Sequence, residues 1–266
     1  PGGITTSQLY RQMSETGHDV VSQVPPSRWD IISVDAKVVK SGMGEDVRKR
    51  VRHAGFVQSA QLFDASSFAV SIAEASAMDP QQRLVLEYGY ASLHGAMLSR
   101  SSLMGSNTAA YLGFSISDFN MIMVDSPMFY GVYAATGSTA SVASGRLSYV
   151  LGLQGACTIV DTACSAGLVA TSIARGALML NESDTANVMA VSLILSPSGM
   201  QIPFGIAGMT SPRGRCHTFD ARADGYARSE ACGAAVLQPG KQSRSLAMID
   251  GNAVRCDGKS ASLTAP

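Results

Sequence analysis

Charge is scarce in this sequence. Charged residues make up 15% of its 266 positions, against about 25% in an ordinary globular chain. Twenty basic residues balance twenty acidic ones, and the net charge is zero. The chain therefore has no electrostatic footprint for nucleic acid or an anionic membrane. Aromatic residues are few, at 6%, with a single Trp. The cysteines are five, Cys157, Cys164, Cys216, Cys232 and Cys256, an odd number with no CxxC spacing. That argues against a disulfide framework and a zinc site, and points to a reducing compartment, the cytoplasm or a plastid. His18, His53, His94 and His217 are scattered and form no HExxH pair. No apolar run approaches the roughly 18 residues of a membrane span, and no signal peptide precedes the first element. Internal repeats, low-complexity tracts and flexible linkers are also missing.

Apolar residues are plentiful, at 46%. A large core plus a buried self-association face accounts for so little surface charge. The chain opens on Pro1-Gly2-Gly3 and closes on Leu263-Thr264-Ala265-Pro266, which reads as a piece of a longer polypeptide.

The first 60 residues are polar and irregular. They hold one helix candidate, Ser7–Ser14, and a rigid turn at Val24–Asp30 that carries Trp29, read as a packing anchor. Asp79-Pro80-Gln81-Gln82 then marks a helix start: an Asp N-cap, Pro at the first helical position and Gln82 to close a capping box. Further helices are expected over Ser138–Leu151 and Ser165–Leu180. Strands are expected over Thr108–Ile116, Cys157–Thr162, Asn187–Leu195, Cys232–Leu237 and Leu246–Val254. The run Asn187–Leu195 is continuously apolar, as in a strand buried on both faces. Alternating strands and helices predict a layered α/β domain.

Cys164 sits where a short buried strand, Thr158–Asp161, gives way to a helix rich in small residues. A thiol at such a junction meets the positive end of a helix dipole and free backbone N–H groups, which favour thiolate over thiol. The same N–H groups can hold a developing oxyanion. This is the arrangement of a nucleophile for acyl transfer. The competing reading, a buried inert Cys, applies better to the other four, which nothing in the sequence activates.

Six segments, in order, resemble the β-ketoacyl synthase (ketosynthase) domain, and more closely its type I polyketide synthase branch. They are VPPSRWD (24–30), MDPQQRLVLE (78–87), GRLSYVLGLQG (145–155), VDTACSAGLVA (160–170), TFDARADGY (218–226) and DGKSASLTAP (257–266). The resemblance implies a thiolase-like α-β-α-β-α layered fold, of which residues 1–266 are a partial domain. That part is mostly the N-terminal half, with the first strand and the downstream histidine motifs missing. It also implies a homodimer in which the strand before the nucleophile pairs across the two-fold. The implied reaction is a decarboxylative Claisen condensation. Cys164 would accept an acyl chain, and its backbone N–H would bind the oxyanion. A malonyl-acyl-carrier-protein would supply the extender. The domain itself would bind no metal or cofactor, its substrates riding on the phosphopantetheine of an acyl carrier protein. Two imidazoles of the family assist decarboxylation, and none of the four histidines stands in their motifs. His217, inside a motif but at a variable site, is read as structural.

Phe204, ahead of Ala207-Gly208-Met209, resembles the family's acyl-channel aromatic, with a plain core Phe as the alternative. Asp161 and Thr162 are read as turn-holding. Asp220, Asp224 and Glu230 are expected to fix loops through backbone N–H groups and Arg222 or Arg228. The 13 methionines fill core gaps, a few of them lining an acyl tunnel. Small departures from the family pattern stand at Ser229 and Ala231, in place of glycine, at Cys256, and at Gly205-Ile206. Three other functions fit parts of the pattern. One is a non-elongating acyl-binding scaffold or chain-length partner. Another is a thiolase-type coenzyme A acyltransferase, against which the DPQQR and RADGY segments argue. The last is a cysteine hydrolase, which lacks a histidine candidate.

Overall fold

The helix start at Asp79 shows how local chemistry fixes this fold. In a computed structural model, which describes residues 1–115, 117–124, 126–240, 245–256 and 258–259, Asp79 is fully buried and its carboxylate accepts the Gln81 N–H at 2.7 Å. The expected capping box does not close. Gln82 turns away and donates to the carbonyls of Thr136 and Thr139, while its own carbonyl accepts from Arg146. Gln81 takes the capping side of the work, donating to Asp79 at 3.4 Å and accepting the Leu193 N–H at 3.1 Å. One helix start is thereby tied to the end of a distant strand.

The helices are α1 (Ser7–Thr16), α2 (Ile31–Lys40), α3 (Glu45–Arg50), α4 (Ile72–Ala77), α5 (Pro80–Gly95), α6 (Arg100–Leu103), α7 (Phe119–Met123), α8 (Ala134–Ser138), α9 (Ala140–Leu151), α10 (Ala166–Met179) and α11 (Ile202–Ile206). The strands are β1 (Ser22–Gln23), β2 (His53–Ala54), β3 (Thr108–Phe114), β4 (Cys157–Val160), β5 (Thr185–Ser192) and β6 (Ala231–Leu237). Among the described residues, β1 and β2 form a small antiparallel pair, and the main sheet runs β4-β3-β5-β6. Its first three strands are parallel and β6 joins antiparallel to β5. The expected α/β layering is therefore present.

Helices cover both faces of this sheet. On one side α5 and α9 bring Leu86, Leu93 and Leu147 against Leu112 and Met189. On the other, the alanines of α10, Ala170, Ala174 and Ala177, pack on Ala109, Tyr111 and Val188. Small side chains let α10 sit close to the sheet: a methyl added at Gly167 would meet Ala190 Cβ at 2.9 Å. Strand β3 is buried at every position, as a central strand between two helical layers must be. Strand β4 lies at the sheet edge and begins exposed.

Several sequence expectations need correction. Residues 1–60 hold α2 and α3 besides α1. Asp30 caps α2 through the N–H groups of Ile32 and Ser33, while Val34 and Val38 bury against Val51. The expected strand Leu246–Val254 is not a strand. Its backbone lies along α10, where Arg175 donates to the carbonyls of Ile249 and Asp250. Its apolar side chains, led by Leu246 and Met248, stay exposed and gain no partner strand. The end of Thr108–Ile116 and most of the run 257–266 lie outside the described residues. Among the described residues, no helix is long and apolar enough to cross a membrane.

Candidate active site

Cys164 occupies a short turn, Ala163–Ser165, between the end of β4 and the start of α10. Asp161 accepts the Ala163 N–H at 3.1 Å. The Ser165 hydroxyl donates to the Thr162 carbonyl at 2.9 Å and meets the Thr162 hydroxyl at 2.9 Å. Asp161 and Thr162 thus hold the turn, as expected. Ala163 is held at φ 54°, a left-handed conformation costly for a residue with a Cβ. The strained residue immediately precedes the thiol and turns it outward: Cys164 is exposed. Among the described residues nothing accepts the Cys164 N–H. The first turn of α10 carries no acidic side chain, so the positive end of its dipole faces the thiol-bearing turn, while the Ala166 N–H is taken by the Ala163 carbonyl.

The other cysteines differ. Cys232 is packed beneath α5 with its Sγ 3.8 Å from the Leu84 carbonyl, and burial pushes its thiol up to about 12. Cys216 accepts the Ala227 N–H at 3.1 Å. Cys157 and Cys256 are exposed, so exposure alone does not single out Cys164; the turn does.

Tyr226 lies within electrostatic reach of both Cys164 and Arg228, a link that the sequence alone does not signal. Burial pushes the Tyr226 hydroxyl above its ordinary value; the Arg228 cation opposes this and the thiolate form of Cys164 adds to it. The Arg228 guanidinium lies 5.1 Å from the centre of the Phe204 ring. Its Nη1 donates to Gln201 Oε1 at 3.4 Å, and the buried Gln201 in turn donates to the His53 carbonyl at 3.4 Å. Burial pulls Arg228 below its ordinary value, against the charges of Tyr226, Asp118 and Glu230.

The acidic residues serve the frame, Asp220 with its expected arginine and the other two partly with other partners. Glu230 pairs with Arg28, not Arg228, at 2.6 Å, and accepts the N–H groups of Val57 and Ile194 at 2.7 and 2.8 Å. Asp224 accepts from the Ser211 hydroxyl and from Arg213, both within 2.8 Å. Asp220 pairs with Arg222 at 2.7 Å. Asp118, buried, accepts the N–H groups of Leu195 and Ser196 at 3.1 and 2.7 Å, and so fixes the start of the segment that leads to Phe204. Trp29 is an anchor as expected, packed edge-on against Phe56 at 5.9 Å.

An apolar cavity of about 830 Å³ opens beside α7 and α8, lined by Phe119, Met121, Met123, Val124 and Phe129 among others. Two methionines are there, but neither Cys164 nor Phe204 lines it. Among the described residues no histidine hydrogen-bonds to Cys164, and His217 lies by Asp220 and Asp224.

Known proteins resemble this chain in sequence and fold. Residues 1–243 match the family described as beta-ketoacyl synthase, N-terminal domain. The chain is 38% identical over 272 residues to one of the phenolphthiocerol/phthiocerol polyketide synthase polypeptides of Mycobacterium tuberculosis, covering 100% of this chain and 15% of that protein. Identity to another polypeptide of the same synthase is 37% over 273 residues, covering 100% of this chain and 17% of that protein. The chain therefore spans a small part of the curated relatives it matches. Among solved structures, the ketosynthase from module 6 of the bacillaene synthase of Bacillus subtilis superposes with a TM-score of 0.77 at 30% identity, over 89% of this chain and 38% of that one. An oxazolomycin ketosynthase domain from Streptomyces albus gives 0.78 at 28% identity, over 90% and 41%. The chain belongs to the β-ketoacyl synthase family, and its layers are those of the thiolase-like fold.

Proposed function

We propose that this chain carries the nucleophilic part of a ketosynthase that extends acyl chains by decarboxylative condensation, with Cys164 as nucleophile. The observation that carries this reading is the turn itself: an exposed thiol behind a strained Ala163, with its own N–H unpartnered at a helix start. The Cys164 thiolate attacks the carbonyl of an acyl thioester borne by an acyl carrier protein. A new C–S bond forms, the carrier thiolate leaves and takes up a proton, and the acyl group rests on Cys164. The Cys164 N–H holds the oxyanion of the tetrahedral intermediate. A malonyl group on a carrier then loses CO₂, and its enolate carbon attacks the bound acyl carbonyl. The C–S bond breaks, and the electron pair returns to the Cys164 sulfur.

The chain's own histidines have no place beside the thiol, so the imidazoles that assist decarboxylation are assigned to the rest of the polypeptide. Residues 1–266 then make up the N-terminal part of the ketosynthase domain. Phe204, with Arg228 over its ring, is assigned to the wall of the acyl passage on its likeness to the acyl-channel aromatic of the family. The open edge of β4 supports pairing with a second copy across a two-fold.

The test is loading. The native polypeptide is incubated with an acyl thioester, digested and mapped by mass spectrometry. An acyl mass on the Cys164 peptide, absent from Cys164→Ala, is expected. Acyl transfer to another cysteine would overturn the reading. Acylation without CO₂ release from a malonyl carrier would instead identify a non-elongating acyl-binding protein.

A further inference from the structure

Arg228 is a half-buried cation without an acid of its own. Among the described residues no carboxylate lies within ion-pair distance of it: Glu230 is taken by Arg28, and Asp118 by the N–H groups of Leu195 and Ser196. Asp118 and Glu230 act on it only at longer range. Its close partners are the face of Phe204 and the Gln201 carbonyl oxygen.

Among the described residues, Phe204 belongs to none of the apolar core clusters. Phe204 sits on α11, five residues long, followed by exposed Ile206, Ala207 and Gly208. The backbone is fixed on one side, where Gly205 is buried against Val51, Arg50 and Val47. Asp118 fixes the start of the segment, at Ser196. A guanidinium over the ring supplies a restraint at the side chain itself, because a planar cation on an aromatic face opposes both tilting and withdrawal. The same arginine is anchored by buried Gln201, which is itself tied to the His53 carbonyl. The ring position is therefore set by the segment that leads into β6, through Arg228.

We propose that Arg228 is a specificity-positioning residue: by holding the Phe204 ring it sets which acyl chains reach Cys164. This inference rests on the ketosynthase reading above and goes beyond it by naming what fixes the passage wall. Arg228 touches neither the acyl carbonyl nor the thiol; it acts through Phe204.

The experiment compares Cys164 loading in the native polypeptide, using straight-chain acyl thioesters of a small thiol from acetyl to octanoyl. Arg228→Gln is expected to change the ratio of kcat/KM between the shortest and longest chains by about tenfold. Iodoacetamide alkylation of Cys164 should stay within about twofold, since the turn at Ala163–Ser165 is untouched. Phe204→Ala should change the chain-length ratio as strongly, and the double variant should add nothing to it, the signature of one residue acting through another. Arg228→Lys, which keeps the charge but not the planar stack, should fall between wild type and Arg228→Gln and serves if the latter does not fold. An unchanged chain-length ratio in the folded Arg228 variants overturns the proposal. So does a uniform loss for all chains, which would mark Arg228 as a receptor for an anionic group of the substrate. If wild-type Cys164 takes no acyl group at all, the ketosynthase reading fails first, and this inference with it.

Discussion

A methyl group on Gly113 would stand 2.6 Å from the backbone nitrogen of Gly167. Gly113 lies in central strand β3, and Gly167 in the first turn of α10, three residues after Cys164. The strand and the helix start approach more closely than any side chain permits, and this contact sets the depth at which the thiol-bearing turn sits on the sheet. Gly113→Ala forces the helix start outward, because the clashing atoms are backbone and cannot rotate away. The expected cost is about 2 kcal/mol of stability, seen as a lowered thermal midpoint. Acyl loading of Cys164 should fall more than its alkylation by a small reagent, since the oxyanion donor moves with the helix.

Cysteine chemistry gives a sharper ordering. Cys232 is buried, with its thiol pushed up to about 12, while Cys157, Cys164, Cys216 and Cys256 are exposed. Under limiting iodoacetamide at neutral pH, peptide mapping should find Cys164 modified first and Cys232 last. Preferential labelling of Cys216 or Cys256 would count against Cys164 as the nucleophile.

The Ala163 conformation makes a separate prediction. Ala163→Gly relieves the left-handed strain at φ 54° but loosens the turn in both folded and unfolded chains. Stability should change by less than about 1 kcal/mol. Acyl loading should slow, because the strained residue is what aims the sulfur. A variant that loads as fast as wild type would show that Asp161 and Thr162 hold the turn without it.

Much of this was legible in the sequence, for reasons that can be named. The Asp79 cap, the apolar strand ending in Ser192 and the strand-to-helix passage around Cys164 are local signals, written in consecutive residues. Residues of the family segments also build the frame: Arg28 grips Glu230, Arg146 is buried against Gln82 and Glu74, and Asp224 holds Ser211. What stayed hidden depends on distant partners. Gln82 has the side chain for a capping box, but Arg146 and two carbonyls in the 134–140 region compete for it and win. Residues 246–254 have the apolar content of a strand, yet strand formation needs a neighbour edge, and this stretch lies along α10 instead. The neighbours of Phe204 could not be read at all, since Arg228 is 24 positions away and reaches it only through the fold.

Arg146 tests the frame behind the site. Its side chain is 10% exposed, and its guanidinium reaches Glu74 at 2.6 Å, the Gln82 side-chain carbonyl oxygen and the Thr136 carbonyl. Arg146→Ala strands the buried end of Gln82 and a half-buried Glu74. The expected loss is about 3 kcal/mol. Arg146→Lys should recover less than half, because an ammonium cannot serve three acceptors set in a plane. Chemical denaturation of both variants measures the difference.

The pH dependence of stability turns on which influence dominates at Asp118. Burial raises its pKa above the ordinary 3.8, while the N–H groups of Ser196 and Leu195 and the Arg228 charge pull it down. Burial is the larger effect, so the folded pKa lies above the unfolded one. The folded chain then holds the proton more tightly, and the stability this contributes is full below 3.8 and is lost as pH rises through the folded value. Asp118→Asn cannot titrate. The stability of wild type minus that of Asp118→Asn should therefore decline as pH rises from about 4 and level off above the folded pKa. Urea unfolding of both proteins across the carboxylate range gives this difference directly, whatever constant offset the lost charge introduces. A difference that grows with pH would mean that the two N–H donors outweigh burial. Asp118 would then clamp the Phe204 segment most strongly as a charged group, and Arg228 would face a stabilised anion.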